Sequence, residues 1–436
     1  MTSVEPVRLC ADYVLPGEGD GQLIASGVLD IDAGGRIAAV GAEAELGPHP
    51  NTRRIGGLLM PGLVNTHAHT PMTLVRSVGD GLALERWLKE AVWPLEAKMT
   101  PDDARCAMAL GSAEMLLSGV TTSCEMYLFE EAVVDAVTAT GGRLVITPGV
   151  IAALAANGDV EPRIDQIADF FTTHHNPDQR INVGFAPHSL YDLSPRQCAE
   201  IAARAQAVGA LYHIHLDETE AERQQVMTTW GASATQLLAD TGVLEGPVLA
   251  AHGVWLDETD RRLLAEAGAA VAHCPQSNLK LGSGIAQVGE LLRAGVRVGL
   301  GTDGPASNDD LDLWEELKLA PLLARGTALD PAAMDATRAL DLATRQAALA
   351  LQLEGVGELK TGHWADVIRV DLDVPAFTPC VEENLLTQLT FAGSSRWVTD
   401  VWVAGRAVVA DRTLQTIDVA ELMVESQQRA ERLAAA

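Results

Sequence analysis

Eight apolar, β-rich runs, at residues 63–69, 120–127, 144–150, 181–188, 210–218, 248–254, 270–275 and 296–303, are separated by long amphipathic stretches such as 101–117, 130–140, 195–208 and 257–265. Strands that alternate with helices pair as a parallel sheet. Eight such units over roughly 250 residues match an α/β (β/α)8 TIM-like barrel, whose active site is assembled at the C-terminal ends of the strands. A doubly wound open sheet would instead gather its ligands at one switch point.

The flanks have a different texture. Residues 1–56 read as a small β unit with short strands at 7–10, 23–31 and 36–40, the last two flanking the turn Asp32-Ala33-Gly34-Gly35. Beyond the barrel, 365–372 and a hairpin-like pair over 398–409 around Gly405 resemble those strands, and a helix is expected over 419–434. The simplest arrangement is one composite β-sandwich built from both chain ends. The expected division is 1–56 and 361–436 for that sandwich and its terminal helix, with 57–360 for a metal-dependent barrel.

Composition narrows the partners. A net charge of -28 repels nucleic acid and anionic membrane surfaces. No apolar stretch approaches the length of a membrane span and the start lacks a basic-then-apolar leader, so a soluble cytoplasmic protein is expected. The six cysteines include no Cys-x-x-Cys pair, which fits reduced, mostly buried thiols rather than a metal site.

The first run ends in Pro61-Gly62-Leu63-Val64-Asn65-Thr66-His67-Ala68-His69, with two imidazoles on one face of a strand. A catalytic zinc needs a third protein ligand and an open position, so more donors are expected at later strand ends. They are present: His188 ends the fourth run, His215 and Glu218 the fifth, His252 the sixth and Asp303 the eighth. His67, His69, His215 and Asp303 form a set suited to one Zn²⁺ per chain, with Fe²⁺ or Mn²⁺ as alternatives. Such a metal makes hydroxide available near neutral pH. Glu218, three residues past His215, is placed to shuttle a proton, and His252 to hydrogen-bond the hydroxide or the developing tetrahedral oxygen.

The layout Pro-Gly-Leu-x-Asn-x-His-x-His, His-Ile-His-Leu-x-Glu-Thr, Ala-His-Gly, His-Cys-Pro-x-Ser-Asn-x-Lys-Leu and Gly-Thr-Asp-Gly-x-Ala-Ser-Asn resembles the amidohydrolase superfamily over nearly the whole chain. More narrowly it resembles the 5'-methylthioadenosine/S-adenosylhomocysteine deaminase branch. The resemblance implies zinc on His67, His69, His215 and Asp303, with Glu218 and His252 handling protons. It also implies a small-molecule nucleoside substrate and a homo-oligomer, dimer or tetramer. Glu96 in Trp93-Pro94-Leu95-Glu96 matches an acid that binds ribose hydroxyls, and His188 a residue that contacts the purine base. Trp87 and Trp93 are candidates for the pocket wall.

One departure bears on substrate choice. Branch members that accept S-adenosylhomocysteine use arginines after the third strand to pair with its carboxylate. Here Pro148 stands where one is expected, while Arg163 matches the second. Loss of a bidentate partner weakens a charged tail specifically, which leaves methylthioadenosine, adenosine, 5'-deoxyadenosine or aminodeoxyfutalosine open. The expected activity is therefore zinc-dependent deamination of a 5'-modified adenosine. The alternatives are a related hydrolase acting on guanine, pterin or triazine rings, and a non-catalytic binding homologue.

Overall fold

The computed structural model describes residues 4–17 and 21–435. Each of the eight apolar runs carries a strand: β1 Leu63–Ala68, β2 Val120–Tyr127, β3 Arg143–Val150, β4 Ile181–Val183 with its continuation Ala186–Pro187, β5 Tyr212–Leu216, β6 Val248–His252, β7 Ala270–His273 and β8 Arg297–Leu300. Nearly every residue in them is buried, as expected for parallel strands covered on both faces.

Pairing groups the eight into two parallel sheets, in the orders β4-β3-β2-β1 and β5-β6-β7-β8. Isolated parallel bridges join the sheets at both edges, Phe185 with Tyr212 and Ala68 with Asp303. At the second junction a Cβ on Gly301 would lie 2.9 Å from the His67 amide nitrogen, an approach that only glycine permits. Asp303 N then donates to His67 O at 2.9 Å. The first and last strands are thereby stitched together where they carry polar side chains.

The intervening helices begin where their caps dictate. Thr100 and Asp103 form a capping box ahead of Pro101–Leu117, Ser194 and Gln197 ahead of Pro195–Ala207, and Asp257 and Asp260 ahead of Glu258–Ala267. Each box satisfies amides that have no partner inside the helix.

Both chain ends contribute to one seven-stranded sheet, in the order Thr413–Leu414, Arg406–Ala410, Val398–Val403, Val367–Val370, Leu58–Pro61, Tyr13–Val14, Ile24–Ala25. A four-stranded sheet of Ile37–Ala42, Gly27–Ile31, Val7–Cys10 and Thr52–Arg54 accompanies it. Leu9, Leu29, Ile31 and Ile37 from the smaller sheet share a buried cluster with Leu59, Val367 and Trp402 from the larger. The strand expected over 23–31 is broken in two. Ser26 takes φ 47° between Ile24–Ala25 and Gly27–Ile31, so one run feeds both sheets.

Two polar contacts anchor these ends to the parallel strands. Arg143, at the start of β3, is paired with Asp366, and both side chains are almost fully buried. The terminal helix Val419–Ala435 lies against Pro101–Leu117, where Arg429 and Arg432 donate to the buried Asp103. All six cysteines are free, five buried and Cys380 exposed. Among the described residues no helix is long and apolar enough to cross a membrane.

Candidate active site

Strand ends and the loops just past them supply the polar groups. His67 is the fifth residue of β1, and His69 lies one residue beyond the strand. His215 sits in β5, Glu218 in the turn after it, His252 at the last position of β6, and Asp303 three residues past β8. His252 and Asp303 hold φ of 73° and 63°, backbone positions that non-glycine residues avoid and that recur at functional sites.

The histidine tautomers follow from their partners. His69 Nδ1 is 2.5 Å from the Met126 carbonyl oxygen, and His215 Nδ1 is 3.0 Å from that of His188. A carbonyl only accepts, so both Nδ1 atoms carry protons and both Nε2 atoms present lone pairs. Those two Nε2 atoms are 3.3 Å apart. Asp303 Oδ1 lies 3.3 Å from His69 Nε2 and 3.5 Å from His67 Nε2. His67 Nε2 is buried with no hydrogen-bond partner. Burial pushes His67 down to about 3, and desolvation also holds His215 well below its ordinary value, so both rings are neutral.

Lone pairs and a carboxylate held this close repel one another unless a cation lies between them. The donors therefore fit a divalent metal. Two overlapping sets have ligand atoms within 4.8 Å of one another, His67 with His69 and Asp303, and His67 with His215 and His252. Ser277 and Ser307 donate to Asp303 Oδ2 at 2.6 and 3.0 Å, which orients its other oxygen toward the histidines.

Glu218 stands beside this cluster, its Oε2 3.8 Å from His252 Nε2. Burial, reinforced by the negative charge of Asp303 and opposed by the Ser283 hydroxyl, pushes its carboxyl up to about 8. His252 Nδ1 is 3.0 Å from Asn278 Oδ1, which turns Nε2 toward Glu218.

The group opens into a recess lined by His69, His188, Glu96, Trp87, Trp93 and Tyr127, among others. Its space is about 760 Å³ counted out to the mouth, open solvent included. Glu96 lies part-buried on the wall and accepts from the Tyr127 hydroxyl at 2.6 Å. Withdrawal from solvent raises its carboxyl, and the Tyr127 donation counteracts that. His188 lines the same wall, pushed down to about 4 by burial and by the fields of His69 and His252.

Arg163 is not brought into the recess. Its Nη atoms pair with both oxygens of Glu130 at 2.7 and 3.0 Å, and its Nε donates to the Gly149 carbonyl. Pro148 is a buried residue of β3. Sequence reasoning gave no role to Tyr127 or Ser283, nor to Ser277, Asn278 and Ser307, although these three stand in the motifs His-Cys-Pro-x-Ser-Asn-x-Lys-Leu and Gly-Thr-Asp-Gly-x-Ala-Ser-Asn. Nor did it single out His213, although that residue shares a strand face with His215.

Parallel strands with helices, whose ends gather histidines, an aspartate and a buried glutamate around one recess, define a class of hydrolytic enzyme built around a divalent metal. Residues 58–408 match the amidohydrolase family, and the chain belongs to it. It is a hydrolase acting on C–N bonds. The 5-methylthioadenosine/S-adenosylhomocysteine deaminase of Dictyoglomus thermophilum is 40% identical over 374 residues, which cover 86% of this chain and 87% of that one. The protein of the same name from Pelotomaculum thermopropionicum is 39% identical over 425 residues, 96% and 97% of the two chains. Among solved structures, an adenosine deaminase from Xanthomonas campestris with bound zinc matches with a TM-score of 0.93 and 32% identity, over 99% of each chain.

Proposed function

We propose that this protein is a zinc-dependent deaminase that replaces the exocyclic amine of a 5'-modified adenosine with oxygen and releases ammonia. The observation that carries the reading is the placement of Glu218, a buried carboxyl 3.8 Å from His252, against the metal-donor cluster of a recess whose wall bears Glu96. The activities for which the relatives and the zinc-containing neighbour are named agree with it.

The edge bridges Phe185–Tyr212 and Ala68–Asp303 support reading the two parallel sheets as one closed (β/α)8 barrel over about residues 57–360. The buried cluster shared by the terminal sheets supports a composite sandwich of both chain ends, with Leu58–Pro61 as one of its strands, so the first boundary lies after residue 61 rather than at 56.

His67, His69, His215 and Asp303 are the proposed ligands. A zinc ion held there supplies Lewis acidity and a nucleophile at neutral pH. Around it the side chains divide the remaining work. Glu218 takes a proton from the attacking water and passes it to the ring nitrogen, where it stays, and the second water proton goes to the amino group, which leaves as ammonia. His252 Nε2 hydrogen-bonds the oxygen that attacks the ring carbon. His188 contacts the base, Trp93 walls the recess, and Glu96 accepts from the ribose hydroxyls through the carboxylate that Tyr127 orients.

The 5' group in this reading is uncharged. Arg163 is saturated by Glu130 and the Gly149 carbonyl, and among the described residues no lysine or arginine lines the recess. Glu96, Glu218 and Asp303 line it instead, an arrangement unfavourable to a second carboxylate. Methylthioadenosine, adenosine and 5'-deoxyadenosine are therefore favoured over S-adenosylhomocysteine.

The test is ammonia release, with the ultraviolet change from adenine to hypoxanthine, on these four compounds and aminodeoxyfutalosine with zinc-loaded protein. Turnover ranked with S-adenosylhomocysteine last is expected. Inactivity on all five together with turnover of a guanine, pterin or triazine would refute the nucleoside reading.

A further inference from the structure

His67 differs from the other two candidate histidine ligands in how its ring is held. His69 and His215 each give an Nδ1 proton to a backbone carbonyl, whereas His67 Nδ1 meets another imidazole, His213 Nε2, at 2.9 Å. Two neutral imidazoles in contact leave the proton undecided: either ring can donate, and only one choice leaves His67 Nε2 with a lone pair for a metal.

The undecided proton is settled two bonds away. His213 Nδ1 is 3.0 Å from Thr147 Oγ1, and Thr147 Oγ1 is 3.0 Å from the Glu125 carbonyl oxygen. The carbonyl only accepts, so the single Thr147 proton is committed to it. Thr147 Oγ1 is left as an acceptor, and His213 Nδ1 must donate to it. His213 is completely buried and touches His67, Thr147 and Cys124, none of them an anion, so a charged form has no compensation. A neutral ring protonated on Nδ1 has a bare Nε2. His67 Nδ1 then donates to it, and His67 Nε2 faces the donor cluster unprotonated and unpartnered. The Cys124 thiol, 3.7 Å from His213 Nδ1, is the one competitor for that nitrogen, and sulfur at that distance is weaker than the hydroxyl oxygen.

We propose that His213 and Thr147 are positioning residues: a one-way hydrogen-bond relay, His67 Nδ1–H to His213, His213 Nδ1–H to Thr147, Thr147 O–H to the Glu125 carbonyl, fixes His67 in the tautomer that can ligate a metal. The relay spans β1, β5, β3 and β2, so it also registers both parallel sheets against the site. Its metal consequence rests on the proposed ligand set; the tautomer itself does not.

Two measurements on the intact protein separate these. Long-range ¹H–¹⁵N correlation of histidine-labelled, metal-free protein, assigned through single His→Gln variants, reads the tautomer directly. A His67 ring protonated on Nδ1 and bare on Nε2 is expected, with that preference lost in Thr147→Val. Zinc affinity by chelator competition is expected to fall about 10–100-fold in Thr147→Val and to stay near wild type in Thr147→Ser, which keeps the hydroxyl, with thermal unfolding confirming that both variants fold. A proton on His67 Nε2 in the wild type, or equal zinc affinities for the valine and serine variants, would overturn the relay. The expected tautomer in a protein that binds no zinc supports the relay and overturns the ligand assignment alone.

Discussion

Tyr127→Phe separates recognition of a ribose from chemistry on the base, because it leaves Glu96 in place and removes only the hydroxyl 2.6 Å from it. A hydrogen bond to an ionised carboxylate is worth ~1.5–3 kcal/mol, equivalent to about a 10–150-fold bias toward the ionised form. Withdrawal from solvent already raises the Glu96 carboxyl, and the Tyr127 donation is what opposes it. Without the phenol, Glu96 holds its proton to higher pH. It then presents one lone-pair oxygen and one hydroxyl to the substrate rather than two acceptors. The sign follows: in the variant, kcat/KM for a nucleoside falls about 10–100-fold on the acid side and recovers as the pH rises, with the loss carried by KM. Bare adenine makes no ribose contact, so its kcat/KM should change less than about threefold at every pH. The assay is steady-state ammonia release from 5'-deoxyadenosine and from adenine between about pH 5.5 and 9. An unshifted nucleoside profile, or an equal loss with adenine, would refute the assignment of Glu96 to the ribose.

The other expectations are simpler. Glu218→Gln should lower turnover by about 10²–10⁴-fold while metal analysis finds zinc retained; near-normal turnover would remove Glu218 from proton transfer. Asp366→Ala leaves the buried Arg143 guanidinium and the Ala404 amide without their acceptor, and should cost about 3–5 kcal/mol in urea unfolding; a loss below about 1 kcal/mol would mean that this pair does not tie the terminal sheets to β3. Asp103 is held well below the usual carboxylate range: burial pushes it up, but donation from Thr100, Arg429 and Arg432 outweighs that. A carboxyl depressed in the folded state stabilises fully above its unfolded value of about 4 and loses that contribution as the pH falls. Asp103→Asn should therefore be less stable than wild type at neutral pH, with the gap closing below about pH 4; a gap independent of pH would refute the role of its charge.

What was legible in the sequence is what repeats or what clusters. Parallel strands buried on both faces must be apolar throughout, so all eight runs stood out, and His67-Ala68-His69 was visible because strand geometry demands that spacing. The expected runs overshot their strands because some of the residues that carry the chemistry lie just past the strand ends, while His67, His215 and His252 lie within them. His69 and Glu218 lie past the paired segment, and Asp303 lies past β8 with a φ of 63°, held by its single bridge to Ala68. Not legible were the groups whose role is set by a distant partner. Nothing local marks Tyr127 as the donor to Glu96, and the motif that contains Ser277 does not say that its hydroxyl reaches Asp303, since only the fold selects those partners.

Arg163 shows the same limit from the other side. Its position suits a substrate carboxylate when read along the chain, but Glu130, 33 residues away, already occupies the guanidinium with both oxygens. A cation counts toward a binding site only after its own neighbours have been satisfied. A bidentate pair at 2.7 and 3.0 Å is strong enough that a substrate carboxylate would have to displace Glu130 rather than join it. Glu130→Gln tests this directly. It should free Arg163 and narrow the preference for methylthioadenosine over S-adenosylhomocysteine by about tenfold, roughly one charge-assisted contact. An unchanged ratio of the two kcat/KM values would show that something other than the locked guanidinium sets the selectivity.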